Sequence, residues 1–179
     1  MQSDTFRSRV KRTETAHRVI WLAFIAAVPV YVAVATGSLV RLPSVRHPAP
    51  ISFTISIVIL SLLTAVLAPF VSSLLLPDSR LRQLLNRQPD PQASISPDEQ
   101  RLLAIFPACF PGFLVRLALN EAIALYGLVL AVISRSFVAV LPFALVSFAL
   151  NWMVPLPLDE ALKRMASFGV KQGSMPTRP

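Results

Sequence analysis

Four long runs of apolar residues, separated by polar segments, dominate the pattern of this sequence. They cover residues 19–36, 51–76, 113–134 and 137–156. Each run is close to the roughly 20 residues that a helix needs to cross the hydrocarbon core of a bilayer. The pattern therefore predicts an all-α integral membrane protein with four transmembrane helices.

The polar segment between the second and third runs, residues 77–112, contains a helix start of its own. Ser96 is followed by proline and then, three residues after the serine, by Glu99, which is the pattern of a capping box. We expect an amphipathic helix over about 97–106 that lies at the membrane surface. Because proline lacks the amide hydrogen that a helix interior uses, we expect this helix to end at Pro107 and Pro111.

Basic residues are concentrated in three of the polar segments. Residues 1–18, 77–112 and 157–179 hold 13 of the 17 Lys and Arg residues, whereas the two short connectors hold 3 and Arg116 completes the count. Segments rich in Lys and Arg stay on the cytoplasmic side of a membrane. We therefore expect a multi-pass protein of the cytoplasmic (inner) membrane with both termini in the cytoplasm. The tail 157–179 also begins with a pattern typical of a short surface helix.

The first apolar run has a second interpretation. A basic start, an apolar run and the small residues Ala33 and Ala35 also fit a secretory signal peptide that is cleaved near residue 35. The run is long for a signal peptide, which favours a retained transmembrane helix. Both interpretations remain open at this stage.

Composition supports the membrane class and excludes several others. Of the 179 residues, 54% are hydrophobic and 15% are charged, against about 25% charged residues in ordinary soluble domains. The net charge of +8 comes from segments that flank apolar runs, and no nucleic-acid-binding pattern is present. We therefore expect the lipid bilayer as the principal partner, and no nucleic acid.

The sequence shows no pattern typical of catalysis or of a cofactor site. Cys109 is the single cysteine, so an internal disulfide and a multi-thiolate metal site are both excluded. His17 and His47 have no metal-ligand spacing, and no glycine-rich phosphate loop or hydrolase motif occurs. We expect a non-enzymatic protein without a metal or cofactor. An enzyme that acts on lipids is the least favoured class.

The third and fourth apolar runs should form a closely packed antiparallel hairpin, because only residues 134–136 join them. Small and polar residues recur along one face of each predicted helix, as in close helix pairs within membranes. A turn at Arg135 and Ser136 brings residues whose numbers sum to about 271 to the same depth. The residues of this predicted seam are Asn120, Ala124, Gly127 and Ala131 on the third run and Ala144, Ser147 and Asn151 on the fourth.

Glu121 is the residue whose presence needs a specific explanation. It lies inside the third apolar run, where a charged side chain costs roughly 2.5–3.5 kcal/mol. An apolar environment disfavours the charged form, so we expect a protonated carboxyl group at neutral pH. Three roles stay open: a hydrogen bond that joins helices, a proton or cation site formed with Asn120 and Asn151, and a contact with a partner subunit.

Residues 120–133, NEAIALYGLVLAVI, resemble the second helix of the c subunit of F-type rotary ATP synthases. The resemblance implies that Glu121 corresponds to the ion-binding carboxylate of that family. It also implies that Arg87, Gln88 and Pro89 correspond to the cytoplasmic loop that meets the rotor stalk. The chain differs in having no glycine in residues 51–76 and two additional membrane helices.

These observations lead to two functional hypotheses. The first is a non-enzymatic accessory or structural subunit, held in the membrane beside other subunits or further copies of itself, with a buried protonatable carboxyl group at Glu121. The alternative is a proton- or cation-translocating subunit that resembles the ATP synthase c subunit. Either hypothesis depends on what surrounds Glu121 in the folded chain.

Overall fold

The computed structural model of this chain describes residues 2–40, 49–86 and 96–167. Within those residues all regular structure is helical, and no strand occurs, so the all-α prediction is confirmed. Arg87, Gln88 and Pro89, which carry the second part of the resemblance, lie outside the described residues. The helices are α1 Gln2–Val40, α2 Ile51–Leu75, α3 Asp78–Asn86, α4 Pro97–Ser134, a short 3₁₀ helix Phe137–Val140, α5 Leu141–Trp152 and α6 Pro157–Ser167.

Three of the helical segments are long and apolar enough to cross a membrane: Val10–Gly37, Ile51–Asn86 and Pro97–Ser134. These segments support the prediction of a membrane protein. A fourth span is obtained within the described residues only if Phe137–Trp152 and Pro157–Ser167, which are bent by 53°, count together.

The N-terminal segment is helical rather than a separate polar extension. The helix α1 runs unbroken from Gln2 to Val40, so it begins well before the apolar run that starts at Val19. No proline or glycine interrupts residues 2–18, and an ion pair of 2.6 Å between Arg18 and Glu14 supports the helix there. The sequence pattern located the apolar part of this helix but not its start.

The prediction that a helix ends at Pro107 and Pro111 is wrong, because α4 continues through both prolines to Ser134. A proline inside a helix removes one backbone hydrogen bond and crowds the preceding turn. Burial on both sides of Pro107 offsets this cost, since Ile105, Phe106 and Cys109 lie in a shared apolar cluster. The predicted surface helix and the third apolar run are therefore parts of one helix.

The start of α4 agrees with the predicted capping box. The backbone N–H of Ser96 donates to Glu99 Oε2 over 2.9 Å, and the backbone N–H of Glu99 donates to Ser96 Oγ over 3.3 Å. This reciprocal pair satisfies two backbone donors that the first turn of a helix leaves free.

The fourth apolar run, predicted as one helix over 137–156, is divided into two pieces. It begins as the 3₁₀ helix Phe137–Val140, and α5 then ends at Trp152. Pro142 lies in the first turn of α5, where the missing proline N–H has no cost. After Trp152 the helix stops ahead of Pro155 and Pro157, because a residue that precedes proline disfavours helical backbone angles.

The turn between α4 and α5 is a Schellman motif. The backbone N–H of Ser136 donates to Ala131 O over 3.1 Å, and the N–H of Arg135 donates to Val132 O over 3.4 Å. Arg135 takes the left-handed conformation that this motif requires, with φ of 49°. The turn therefore falls where the sequence placed it, although an arginine occupies a position that usually holds glycine.

The chain divides into two compact units. The first contains residues 1–19, 73–113 and 155–179, and the second contains residues 20–72 and 114–154. The core of the first unit is an apolar cluster whose buried members are Leu76, Leu81, Leu85, Leu102, Ile105, Phe106, Cys109, Ala161 and Met165.

The second unit has two smaller apolar clusters. In one of them Ile57 of α2 packs with Ile123 and Leu130 of α4 and with Phe143 of α5. In the other Ala35, Ala131 and Val140 bring α1, α4 and the 3₁₀ helix together. Many large apolar side chains of this unit face outward, including Leu62 and Val66 of α2, which are 62% and 72% exposed. Such an exposed apolar surface is typical of contact with lipid.

Candidate functional site

A buried hydrogen bond between two polar side chains lies in the second unit. Asn151 Nδ2 of α5 donates to Glu121 Oε2 of α4 over 3.2 Å. The Glu121 side chain is 5% exposed and Asn151 is fully buried. The structure thus brings together two of the three residues that the sequence singled out as an ion or proton site.

The third of those residues, Asn120, is also buried, with 2% exposure. Two contacts across the hairpin, Glu121 with Asn151 and Gly127 with Phe143, join residues whose numbers sum to 272 and 270, close to the predicted 271. However, the hydrogen bond from the Asn151 amide group goes to the neighbouring residue, Glu121. The expected facing pair of asparagines is replaced by a carboxyl–amide pair.

Three buried oxygen atoms around this pair have no hydrogen-bond partner. They are Glu121 Oε1, Asn151 Oδ1 and Ser147 Oγ. Ser147 lies one helical turn before Asn151 on the same face of α5 and is fully buried. A buried polar atom without a partner costs about 1–3 kcal/mol, so this part of the helix pair is the candidate functional site.

Tyr31 of α1 is part of the same site, and the sequence did not predict it there. From sequence, Tyr31 fits an aromatic residue near the end of a membrane helix, where it would anchor at the interface. In the structure its half-buried side chain lies near the carboxyl group of Glu121. The contact joins residues 90 positions apart, and no local pattern in the sequence could have revealed it.

A second long-range contact ties α1 to the same part of α5. Trp21 Nε1 donates to the backbone carbonyl oxygen of Asn151 over 3.0 Å. The rings of Trp21 and Trp152 also contact each other, with centroids 5.4 Å apart. The same carbonyl oxygen also accepts a hydrogen bond from the backbone N–H of Val154 over 3.3 Å, so Trp21 supplies a second donor at the end of α5. It also fixes the backbone that carries the Asn151 side chain.

The predicted seam between α4 and α5 is close-packed in the structure. Its small residues Ala124, Ala131 and Ala144 are all at most 5% exposed. A side-chain carbon added at Gly127 would lie 2.5 Å from Cβ and 2.9 Å from Cγ of Phe143, which is far inside contact distance. Gly127 therefore allows an approach of the two helices that no other residue would permit.

Within the described parts of the chain, no three His, Cys, Asp or Glu residues come close enough to hold a metal ion. Cys109 is a free and buried thiol in the core of the first unit.

Fold and site together define a helical membrane protein with a buried carboxyl–amide pair in a close helix hairpin. Comparison of the chain with known protein families, with curated proteins and with solved structures finds no match. The functional argument therefore depends on the geometry of the site.

Proposed function

We propose that this protein is a non-enzymatic, multi-pass membrane subunit in which a protonated Glu121 joins α4 to α5. The observation that carries this proposal is the hydrogen bond from Asn151 to Glu121 together with the unpartnered Glu121 Oε1 and Asn151 Oδ1. An ionised carboxylate only accepts hydrogen bonds, and the amide oxygen of asparagine also only accepts. A charged Glu121 therefore offers no donor to Asn151 Oδ1.

One proton on Glu121 changes this. Protonation gives Glu121 an O–H group that can donate to Asn151 Oδ1, and it also eliminates a charge that burial makes costly. A carboxylic acid and a primary amide can then exchange two hydrogen bonds, one in each direction. The neutral pair fits a site where Glu121 is 5% exposed and Asn151 is fully buried.

In the proposed topology the chain crosses the cytoplasmic membrane four times with both termini in the cytoplasm. The excess of Lys and Arg in residues 1–18, 77–112 and 157–179 supports this arrangement. The fourth crossing consists of residues 137–156, and residues 137–152 of this segment are helical. The helices α3 and α6, each with an apolar face, then lie at the cytoplasmic surface.

The proposed partners are the lipid bilayer and other membrane subunits, or further copies of this chain. The outward apolar side chains of α2 support the first, since residues such as Leu63 and Phe70 are more than half exposed. Neither nucleic acid nor a cofactor has a part in this proposal.

Two substitutions at Glu121 test the proposed role. Glu121→Gln keeps both a donor and an acceptor, so the purified protein should retain its thermal unfolding midpoint in mild detergent. Glu121→Ala leaves the buried Asn151 amide without its partner and should lower the midpoint clearly. If Gln and Ala lower the midpoint equally, or if Ala has no effect, the protonated pair does not join the helices.

A second function, proton or cation translocation, is favoured by one specific observation. Glu121 Oε1, Asn151 Oδ1 and Ser147 Oγ are three buried oxygens of the type that binds protons or hard cations. Translocation requires release as well as binding, so Glu121→Gln would abolish it even while the fold is preserved. The resemblance of residues 120–133 to the c subunit of rotary ATP synthases agrees with such a site.

Chemical modification distinguishes the two functions. A hydrophobic carbodiimide reacts with a protonated carboxyl group that is reachable from the membrane. If translocation occurs, labelling of Glu121 should fall as the pH rises, and it should compete with the translocated cation. If Glu121 only joins the two helices, its buried carboxyl group should stay unlabelled across the same pH range.

A further inference from the structure

A cavity in the first unit combines an apolar wall with two cationic side chains. It has a volume of about 490 Å³ and lies where the last turn of α2 meets α3 and α6. Leu74 and Leu81 contribute to its apolar wall, and Lys163 and Arg164 of α6 contribute the charges. Its volume is in the range of about 300–1,000 Å³ typical of small-molecule sites.

Arg164 is held in a fixed position at this cavity. Its Nε donates to Glu160 Oε1 over 2.6 Å, and its Nη1 donates to the backbone carbonyl oxygen of Leu76 over 3.1 Å. The second bond satisfies a carbonyl at the end of α2 and ties α6 to that point of the chain. A guanidinium group fixed by two bonds loses little freedom when it meets an anion.

Lys163 supplies the positive charge that is not neutralised. Its side chain is exposed, and within the described residues it forms no ion pair. Glu160 offsets Arg164, with which it pairs, so the two cations and one carboxylate leave one net positive charge at the cavity. The cavity is therefore suited to an anionic ligand.

The apolar wall indicates that this ligand also has an apolar part. Leu74, in the last turn of α2, is 60% exposed, and it belongs to the end of the apolar run 51–76. Where the polypeptide leaves the hydrocarbon core of the bilayer, after the end of this apolar run, it passes through the layer of lipid headgroups. Phosphate groups of lipids occur at that level, with acyl chains directly beside them.

We propose that this cavity binds the phosphate headgroup of an anionic phospholipid. Lys163 contacts the phosphate, the fixed Arg164 borders it, and Leu74 packs against the upper part of an acyl chain. Basic pockets next to membrane helices are suited to such headgroups. The inference goes beyond the proposed role of Glu121 and does not depend on it.

Binding of short-chain lipids to the full-length protein in detergent tests this inference. Dioctanoyl phosphatidylglycerol should bind more tightly than dioctanoyl phosphatidylcholine, which has no net charge. Lys163→Gln should weaken phosphatidylglycerol binding about fivefold, since one basic residue near an anionic lipid contributes about that factor. Lys163→Glu should weaken it further, and Leu74→Gln should weaken binding of both lipids.

Two controls make the result specific. Lys11→Gln removes an exposed lysine of the first unit that does not line the cavity, and it should leave binding unchanged. Glu121→Gln should also bind lipid normally, which separates this inference from the role of Glu121. Unfolding midpoints of all variants should confirm that they remain folded.

Three results would overturn the inference. The first is equal binding of the two lipids by the wild-type protein. The second is an equal loss of phosphatidylglycerol binding in Lys11→Gln and Lys163→Gln, which would indicate general charge attraction. The third is competition by inorganic phosphate at concentrations as low as those of the lipid, which would indicate a site for a soluble anion.

Discussion

Gly127 of α4 and Phe143 of α5 approach each other so closely that a side-chain carbon at Gly127 would lie 2.5 Å from Phe143 Cβ. This contact fixes how near the two helices can come. It also agrees with the hydrogen bond between Glu121 and Asn151, because both contacts follow one antiparallel register. The close contact and the buried polar pair therefore belong to the same packing of α4 against α5.

The first prediction is that Gly127→Ala destabilises the protein. Alanine favours a helix over glycine by about 1 kcal/mol, but overpacking a tight contact typically costs about 1–3 kcal/mol. Phe143 must move to admit the methyl group, so we expect a net loss that lowers the unfolding midpoint in detergent. Gly37→Ala is the matched control, because nothing lies within 4 Å of a carbon added there. Equal midpoints for the two variants would contradict the close approach of α4 and α5.

The second prediction concerns the energetic coupling of Glu121 and Asn151. Glu121→Leu or Asn151→Leu alone leaves one buried polar side chain without its partner, which costs about 1–3 kcal/mol. The double variant removes both groups, so it should lose less stability than the sum of the single variants. A coupling of about 0.6 kcal/mol is the average for such pairs in membranes. Strictly additive losses of unfolding free energy would show that the two side chains do not interact.

The third prediction concerns the turn. Arg135 has a φ of 49°, in the left-handed region that costs a non-glycine residue roughly 1–2 kcal/mol. Arg135→Gly should therefore raise the unfolding midpoint or leave it unchanged, whereas Arg135→Val should lower it because branching at Cβ worsens the strain. A midpoint lowered by glycine as much as by valine would mean that the arginine side chain, and not the backbone, determines the effect.

Sequence patterns predicted this protein well where the determinants are local. The capping box at Ser96, the turn at Arg135 and the start of α2 at Ile51 all depend on residues within a few positions. The hairpin register also followed from a short connection and a stripe of small residues. These features need no knowledge of distant parts of the chain.

Other features were missed because they depend on contacts between distant residues. Pro107 and Pro111 lie inside α4, and the apolar cluster that contains Ile105 and Cys109 buries the helix on both sides of Pro107. Tyr31 lies beside Glu121, and Trp21 donates to Asn151, only because α1 packs near α4 and α5 in the second unit. A pattern with helical period identifies the face of a helix, but it does not identify the partner of that face.

The last prediction concerns His17 in the first unit. Its ring is stacked on Phe110, with centroids 4.5 Å apart and planes at 16°, and its edge contacts Phe106 at 5.1 Å. The side chain is 6% exposed, and Nδ1 is buried without a hydrogen-bond partner.

His17→Phe should raise the unfolding midpoint of the purified protein. The aromatic contacts are kept, and removal of the unpaired nitrogen eliminates a cost of about 1–3 kcal/mol. His17→Asn is the opposite control, because it keeps a polar group and loses the ring contacts, so it should lower the midpoint. A decrease with phenylalanine as large as that with asparagine would contradict this account. It would mean that the imidazole nitrogens of His17 make a stabilising interaction, and that the surrounding phenylalanines are not what holds the residue in place.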